Sequence, residues 1–336
     1  MKAWLFRGPG RPLELAELEI PKPLKRQVQI KVEACGVCHS DLMAQANGFG
    51  NIEYPRVPGH EVVGTISALG PDVEGWTVGQ RVGVGWDGGH CFRCPPCRQG
   101  KFVCCQNLKV PGFNYDGGYA EYMIAPFEAL AALPSELDIA EAAPLLCAGV
   151  TTYNALRNSG ARPGDVVAIQ GIGGLGHLAV QFSARAGFRT VAISRGERNK
   201  AQAKELGAHD YIDTEREEPV SRLKALGGAK VILSTAPNSK AMSQLVEGLG
   251  VDGKLLVIGA DSSNLEISPF NLIPKRTSIV GWPSGSSWDS EDTLRFSAQT
   301  GAKPIIERFP LARGNEAFER MVSGRAKYRA VITMGA

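Results

Sequence analysis

The chain has 336 residues, more than one ordinary domain needs, so two are expected. Its 37 Lys and Arg nearly balance 34 Asp and Glu, for a formal net charge of +3, which excludes a basic nucleic-acid stripe or an acidic tail. No stretch approaches the roughly 20 apolar residues that span a bilayer, and Met1–Gly10 turns polar and Gly/Pro-rich too early for an export signal; a soluble, cytoplasmic protein is expected, with no nucleic-acid and no membrane partner.

Residues 1–145 are dense in Gly, Pro and short β-type runs. Gln27–Ala34 and Val62–Ala68 alternate or run apolar, with turn residues between them, and predict an antiparallel, barrel-like β domain. After Cys147 the pattern changes. Val166–Gln170 reads as a short buried strand, followed by a Gly-rich turn and by helical spacing over Leu175–Ala186. Thr190–Ser194 reads as a strand, Lys200–Leu206 as a helix, and Lys230–Ser234, Lys254–Ile258 and Ser278–Val280 as strands. Strands alternating with helices predict a doubly wound parallel sheet of Rossmann type. From about residue 284 the tail is mixed and ends in a strand-like run, Ala330–Thr333. The expected fold is therefore α/β, with a barrel-like domain at 1–148 and 284–336 and a cofactor domain at 149–283.

Eight cysteines in a chain without an export signal need a reason other than disulfides. Cys91, Cys94, Cys97 and Cys105 form C-x2-C-x2-C-x7-C, and four thiolates on one short loop close a tetrahedron around zinc. Cys104 adjoins Cys105 as an alternative fourth ligand. An all-thiolate site leaves no open position, so its role is structural. Three further candidates are dispersed: Cys38 in Gly36–Asp41, His60 in Gly59–Glu61, and Cys147 in Leu145–Gly149. Two thiolates and one imidazole leave a fourth position open for water or substrate oxygen, as catalytic zinc requires. Singly, each has a plainer reading: a buried apolar thiol for Cys147, a satisfied loop histidine for His60, and a redox pair for Cys35 with Cys38.

Gly171, Gly173, Gly174, Leu175 and Gly176 belong to a G-x-G-x-x-G run set between a strand and a helix. There the first Gly makes the turn, the second admits a pyrophosphate to the backbone, and the third lets helix and strand pack. At the end of the next strand, where an NAD site usually carries an acid, stand Ser194 and Arg195, followed by Arg198 and Lys200. A hydroxyl and cations suit a 2′-phosphate, so NADP is favoured over NAD.

Taken together, and in this order along the chain, the CHSD, GHE, four-Cys, LLCAGVTTY and Gly-rich segments and the final Tyr328–Val331 resemble the zinc-containing medium-chain alcohol dehydrogenases. The likeness runs through essentially the whole chain, and is nearer to the bacterial, yeast-type or cinnamyl-alcohol-dehydrogenase-like members than to the longer liver-type enzymes. It implies two Zn2+ per chain, with Cys38, His60 and Cys147 on the catalytic ion. Asp41 would accept a hydrogen bond from the His60 ring, and Glu61 would lie beneath the metal. Ser40 would contact the substrate oxygen and begin a proton relay. His39 and Arg329 would reach the cofactor pyrophosphate, and Thr151 would pack near the nicotinamide. Phe49, Trp86 and Trp282 fall in segments that line the substrate pocket, although simple core packing explains them nearly as well. Where many members carry a histidine to finish the relay, this chain has Met43, which moves no proton.

The resemblance implies hydride transfer between a nicotinamide cofactor and a small primary aliphatic or aromatic alcohol or aldehyde, in a homodimer or homotetramer paired through Ser278–Val280. A polyol or sugar-alcohol dehydrogenase, a zinc-free quinone reductase and a zinc-stapled binding module are the alternatives. The first commonly uses other zinc ligands, the second lacks them, and the third does not account for the Gly-rich loop.

Overall fold

A computed structural model of the chain describes residues 1–259 and 261–335. The strands of the first part are β1 (Lys2–Phe6), β2 (Leu13–Glu17), β3 (Gln27–Gly36), β4 (Val62–Leu69), β5 (Arg81–Val84), β6 (Tyr122–Pro126) and β7 (Leu130–Ala132). Helices α1 (Ser40–Ala46) and α2 (Pro95–Arg98) interrupt them, and α3 (Ile139–Ala142) and α4 (Ala148–Arg157) follow. Next come β8 (Val166–Gln170), α5 (Gly176–Arg185), β9 (Arg189–Ser194), α6 (Lys200–Glu205), β10 (Asp210–Asp213) and α7 (Pro219–Ala225). They continue as β11 (Ala229–Ser234), α8 (Ser239–Leu245), β12 (Leu249–Val257) and β13 (Ser278–Gly281). The chain closes with α9 (Ser287–Thr300), β14 (Ile306–Pro310), α10 (Gly314–Val322) and β15 (Arg329–Thr333). It divides into two compact units, Met1–Val150 with Ser284–Ala336, and Thr151–Pro283.

In the first unit β3 is the hub. Its inner and outer residues alternate, as a strand with one face on a core requires. It pairs antiparallel with β4 along one edge, and along the other with β6 and then β15. The sheet order is β14-β15-β3-β4-β5-β7, with β6 on β3. Val28, Ile30, Val32, Ile66, Val82, Val84 and Met123 fill its core. The ends of β3, β4 and β15 therefore lie side by side, and that brings residues far apart in sequence to one place.

The second unit is a six-stranded, wholly parallel sheet in the order β10-β9-β8-β11-β12-β13. This is the doubly wound dinucleotide-binding order, with its crossover point beside β8. β8 and β11 are buried almost throughout, which is why they read as continuous apolar runs rather than alternating ones. β10 and helices α7 and α8 add to the expected elements of this unit, and β12 starts five residues earlier than the apolar run suggests. An irregular register after Ala229, with Asp252 at φ 56°, accommodates that extension.

Candidate active site

Cys38 follows β3, His60 and Glu61 precede β4, Arg329 opens β15, and Cys147 precedes α4. Ligand atoms of Cys38, His60, Glu61 and Cys147 all lie within 4.8 Å of one another. The two sulfurs are 3.8 Å apart, which matches the edge of about 3.8 Å for a tetrahedron with zinc–sulfur bonds of about 2.3 Å. His60 is fully buried, and among the described residues neither of its ring nitrogens makes a hydrogen bond, Nδ1 facing only the Asp41 carboxylate. An imidazole nitrogen buried without a partner beside two thiols is a donor set that fits zinc.

The electrostatics agree. A hydrogen bond from Cys147, helped by His60, holds the Cys38 thiol well below its ordinary pKa, and the same contact pushes Cys147 well above it. Two sulfurs this close do not ionise together unless a cation lies between them. Burial disfavours charge on His60, but Asp41 and Cys38 outweigh it and raise the ring's pKa. Burial raises Glu61 to about 7 against the opposing charge of Arg329.

Asp41 lies 3.3 Å from His60 Nδ1 through Oδ1, and both side chains are fully buried. Arg329 is buried and pairs with Glu61 Oε1, a contact that the sequence did not suggest. Gly36 makes room for Glu61, because a Cβ there would overlap its carboxylate. Ser40 opens α1 with its hydroxyl 3.7 Å from the Cys38 sulfur, while His39 is exposed just before it. Trp86 packs edge-on to His60 with ring centroids 5.1 Å apart. Phe113 lies 5.4 Å from both Trp86 and Phe49, so it completes an aromatic row beginning at His60. Sequence reasoning missed Phe113, which sits in a turn-rich stretch with no periodic pattern. Thr151 is buried on α4. Trp282 lies just past β13 in the second unit, where its amide donates to the Val257 carbonyl.

The second cluster contains Cys91, Cys94, Cys97 and Cys105, again within 4.8 Å of one another. Cys105 lies 3.8 Å from Cys94 and 3.6 Å from Cys91. Cys104 is exposed and outside the cluster, which leaves Cys105 as the fourth member. Amides of Arg93 and Cys94 lower Cys91 to about 5, whereas burial pushes Cys97 up to about 12. Amide-to-sulfur contacts from Cys94 to Cys91 and from Asn107 to Cys105 suit thiolates.

In the second unit, Gly171 takes φ +91° between β8 and α5. A Cβ at Gly176 would overlap the Gly171 carbonyl, and one at Gly173 would meet nothing within 4 Å. Turn, packing and open approach thus fall on the glycines that the motif assigns to them. Ser194 ends β9 and accepts a hydrogen bond from Asn199 at 3.0 Å. Glu197 engages Lys200 at 3.5 Å and Arg216 at 3.2 Å, whereas Arg195 is exposed and forms no ion pair among the described residues.

Family comparison agrees with this geometry. Residues 24–135 match the alcohol dehydrogenase GroES-like domain, and residues 174–299 the zinc-binding dehydrogenase domain. The alcohol dehydrogenase notN of Aspergillus sp. is 45% identical over 99% of this chain and 98% of its own length. The alcohol dehydrogenase patD of Penicillium expansum is 46% identical over 99% of this chain and 97% of its own. Among solved structures, a cinnamyl alcohol dehydrogenase of Sorghum bicolor superposes with a TM-score of 0.87 at 30% identity, covering 99% of this chain and 97% of that one. The chain belongs to the zinc-containing medium-chain alcohol dehydrogenases, oxidoreductases that act on alcohols.

Proposed function

We propose that the protein interconverts small primary aliphatic or aromatic alcohols and their aldehydes with NADP(H), using two zinc ions per chain. The observation that carries the reading is the buried Cys38–His60–Cys147 set with the His60 Nε2 unpartnered. When bound there, zinc supplies a Lewis acid for the substrate oxygen, and the nicotinamide supplies or accepts the hydride. Cys38 and Cys147 would hold the ion as thiolates, and Asp41 would keep the His60 proton on Nδ1, so that Nε2 is the ligating atom. Glu61 and Arg329 keep a buried charge pair against the cluster, with Arg329 Nε left over for a cofactor phosphate.

Ser40 would take and return the proton of the substrate oxygen. Because Met43 carries no proton, the path from Ser40 would end at cofactor ribose hydroxyls and water or at another residue. His39 and Thr151 would contact the cofactor, the first at the pyrophosphate and the second near the nicotinamide. Gly171, Gly173, Gly174, Leu175 and Gly176 would receive the pyrophosphate at the start of α5, where unpaired N–H groups meet anions. Ser194 and Arg195 would take the 2′-phosphate, with Lys200 adding charge beyond its long contact to Glu197. The apolar row of Trp86, Phe113 and Phe49 favours planar or short aliphatic substrates, and Trp282 would also contact the substrate. The four-cysteine cluster would hold the structural ion.

The same reading assigns a reducing compartment, the cytoplasm, where cysteines stay unbridged and open to metal, as all eight are here; no helix among the described residues is long and apolar enough to cross a membrane. A homodimer or homotetramer would pair through β13, one of the two edge strands of its sheet, which exposed Phe270 and Ile273 precede.

Initial rates with benzaldehyde and short aldehydes, comparing NADPH with NADH on zinc-replete protein, test the reading. It expects turnover with both substrate types and a clear preference for NADPH. A preference for NADH would remove the 2′-phosphate assignment, and equal rates across chain length and ring size would remove the aromatic one.

A further inference from the structure

Asp41 serves more than one donor. Its Oδ2 accepts the Cys38 amide at 2.9 Å and the Tyr119 hydroxyl at 2.8 Å, while Oδ1 faces His60 Nδ1 at 3.3 Å. Asp41, His60 and Tyr119 are all fully buried. Tyr119 is also fixed to the segment that carries His60. Its amide donates to Pro58 O at 3.0 Å, and the Gly118 amide donates to Gly59 O at 3.0 Å. The ring lies against Gly59, which has φ +102° and where a Cβ would come within 2.5 Å of the ring. A single phenol thus touches the backbone before one ligand and the carboxylate that contacts two.

We propose that Tyr119 is a positioning residue of the Cys38–His60–Cys147 centre, its hydroxyl locking the Asp41 carboxylate in the rotamer that presents Oδ1 to His60. The inference rests on the reading of that centre as a zinc site. Without the hydroxyl, Oδ2 keeps only the Cys38 amide, and the carboxylate gains freedom to turn about Cβ–Cγ. The His60 ring then loses its fixed partner, and with it the preference for the Nδ1-protonated form that frees Nε2. The ring of Tyr119 contributes packing as well, and the variant Tyr119→Phe separates the two roles because it keeps the ring.

The test is metal binding by the full chain, with zinc titrated against a competing chelator and cobalt(II) spectra recorded for wild type, His60→Ala, Tyr119→Phe, Asp41→Asn and the Asp41→Asn/Tyr119→Phe double variant. Subtracting the His60→Ala spectrum removes the four-cysteine contribution. Tyr119→Phe is expected to retain the four-cysteine metal and to bind the other ion about 10- to 100-fold more weakly, with shifted cobalt bands. In the Asp41→Asn background the same change is expected to cost no further affinity, because the hydroxyl acts through Asp41. Wild-type affinity and an unaltered spectrum in Tyr119→Phe would overturn the assignment while leaving the zinc site standing. So would a full additive loss in the double variant, or loss of the four-cysteine metal as well, which marks a folding role. If His60→Ala left metal uptake unchanged, the zinc reading and this inference would fall together.

Discussion

At the residue scale, this protein gathers charge where charge has a task. The two sulfurs beside His60 and the four in the cysteine lobe are groups that an interior would not otherwise hold so close. At the other end of the chemistry, Glu197 occupies Lys200 and Arg216 and leaves Arg195 exposed without a carboxylate. Arg195→Ala should therefore raise KM for NADPH about 10- to 100-fold, the equivalent of about 1.5–3 kcal/mol for a hydrogen bond to a charged group. KM for NADH should barely move. Steady-state titration of both cofactors at saturating aldehyde checks this, and equal losses for the two would show that Arg195 does not read the phosphate. Much at this scale was legible, since thiols and imidazoles carry their chemistry in their identity. What could not be read were contacts made only by the fold: Arg329 on Glu61, Tyr119 on Asp41, and Phe113 in the aromatic row. Each joins segments whose spacing along the chain says nothing about their neighbours.

At the scale of elements, the strands that emerged from the sequence were those buried on both faces or cleanly alternating, such as β8, β9 and β3. β10 escaped because it is four residues long and begins and ends in Asp. α9 escaped because its apolar face is weak, although its ends are well marked. Ser286 caps the Asp289 amide while the Asp289 carboxylate accepts from the Ser286 amide, and Gly301 ends the helix at φ 69°. Ser286→Ala should cost about 1 kcal/mol, a fall in Tm of about 2–4 °C, with kinetics unchanged; calorimetry alongside an activity assay measures both. An unchanged Tm would mean that packing of α9, rather than its cap, fixes the helix.

At the scale of the whole molecule, the chain carries two metal-type clusters in its first unit and a glycine-rich strand-to-helix turn in its second. The interrupted first unit was visible as a return to mixed character near residue 284. Its cause is topological: β15 pairs with β3 and brings Arg329 to Glu61. A zinc-stapled binding module accounts for the cysteine lobe but not for the Rossmann sheet, and the family matches span both units. The most direct test of the account compares wild type with His60→Ala by metal content and by NADPH oxidation with benzaldehyde. The account predicts two zinc ions per wild-type chain and one in the variant. It also predicts a loss of several kcal/mol of transition-state stabilisation, or about 1,000-fold or more in kcat/KM. A variant with one zinc fewer and undiminished turnover would contradict it.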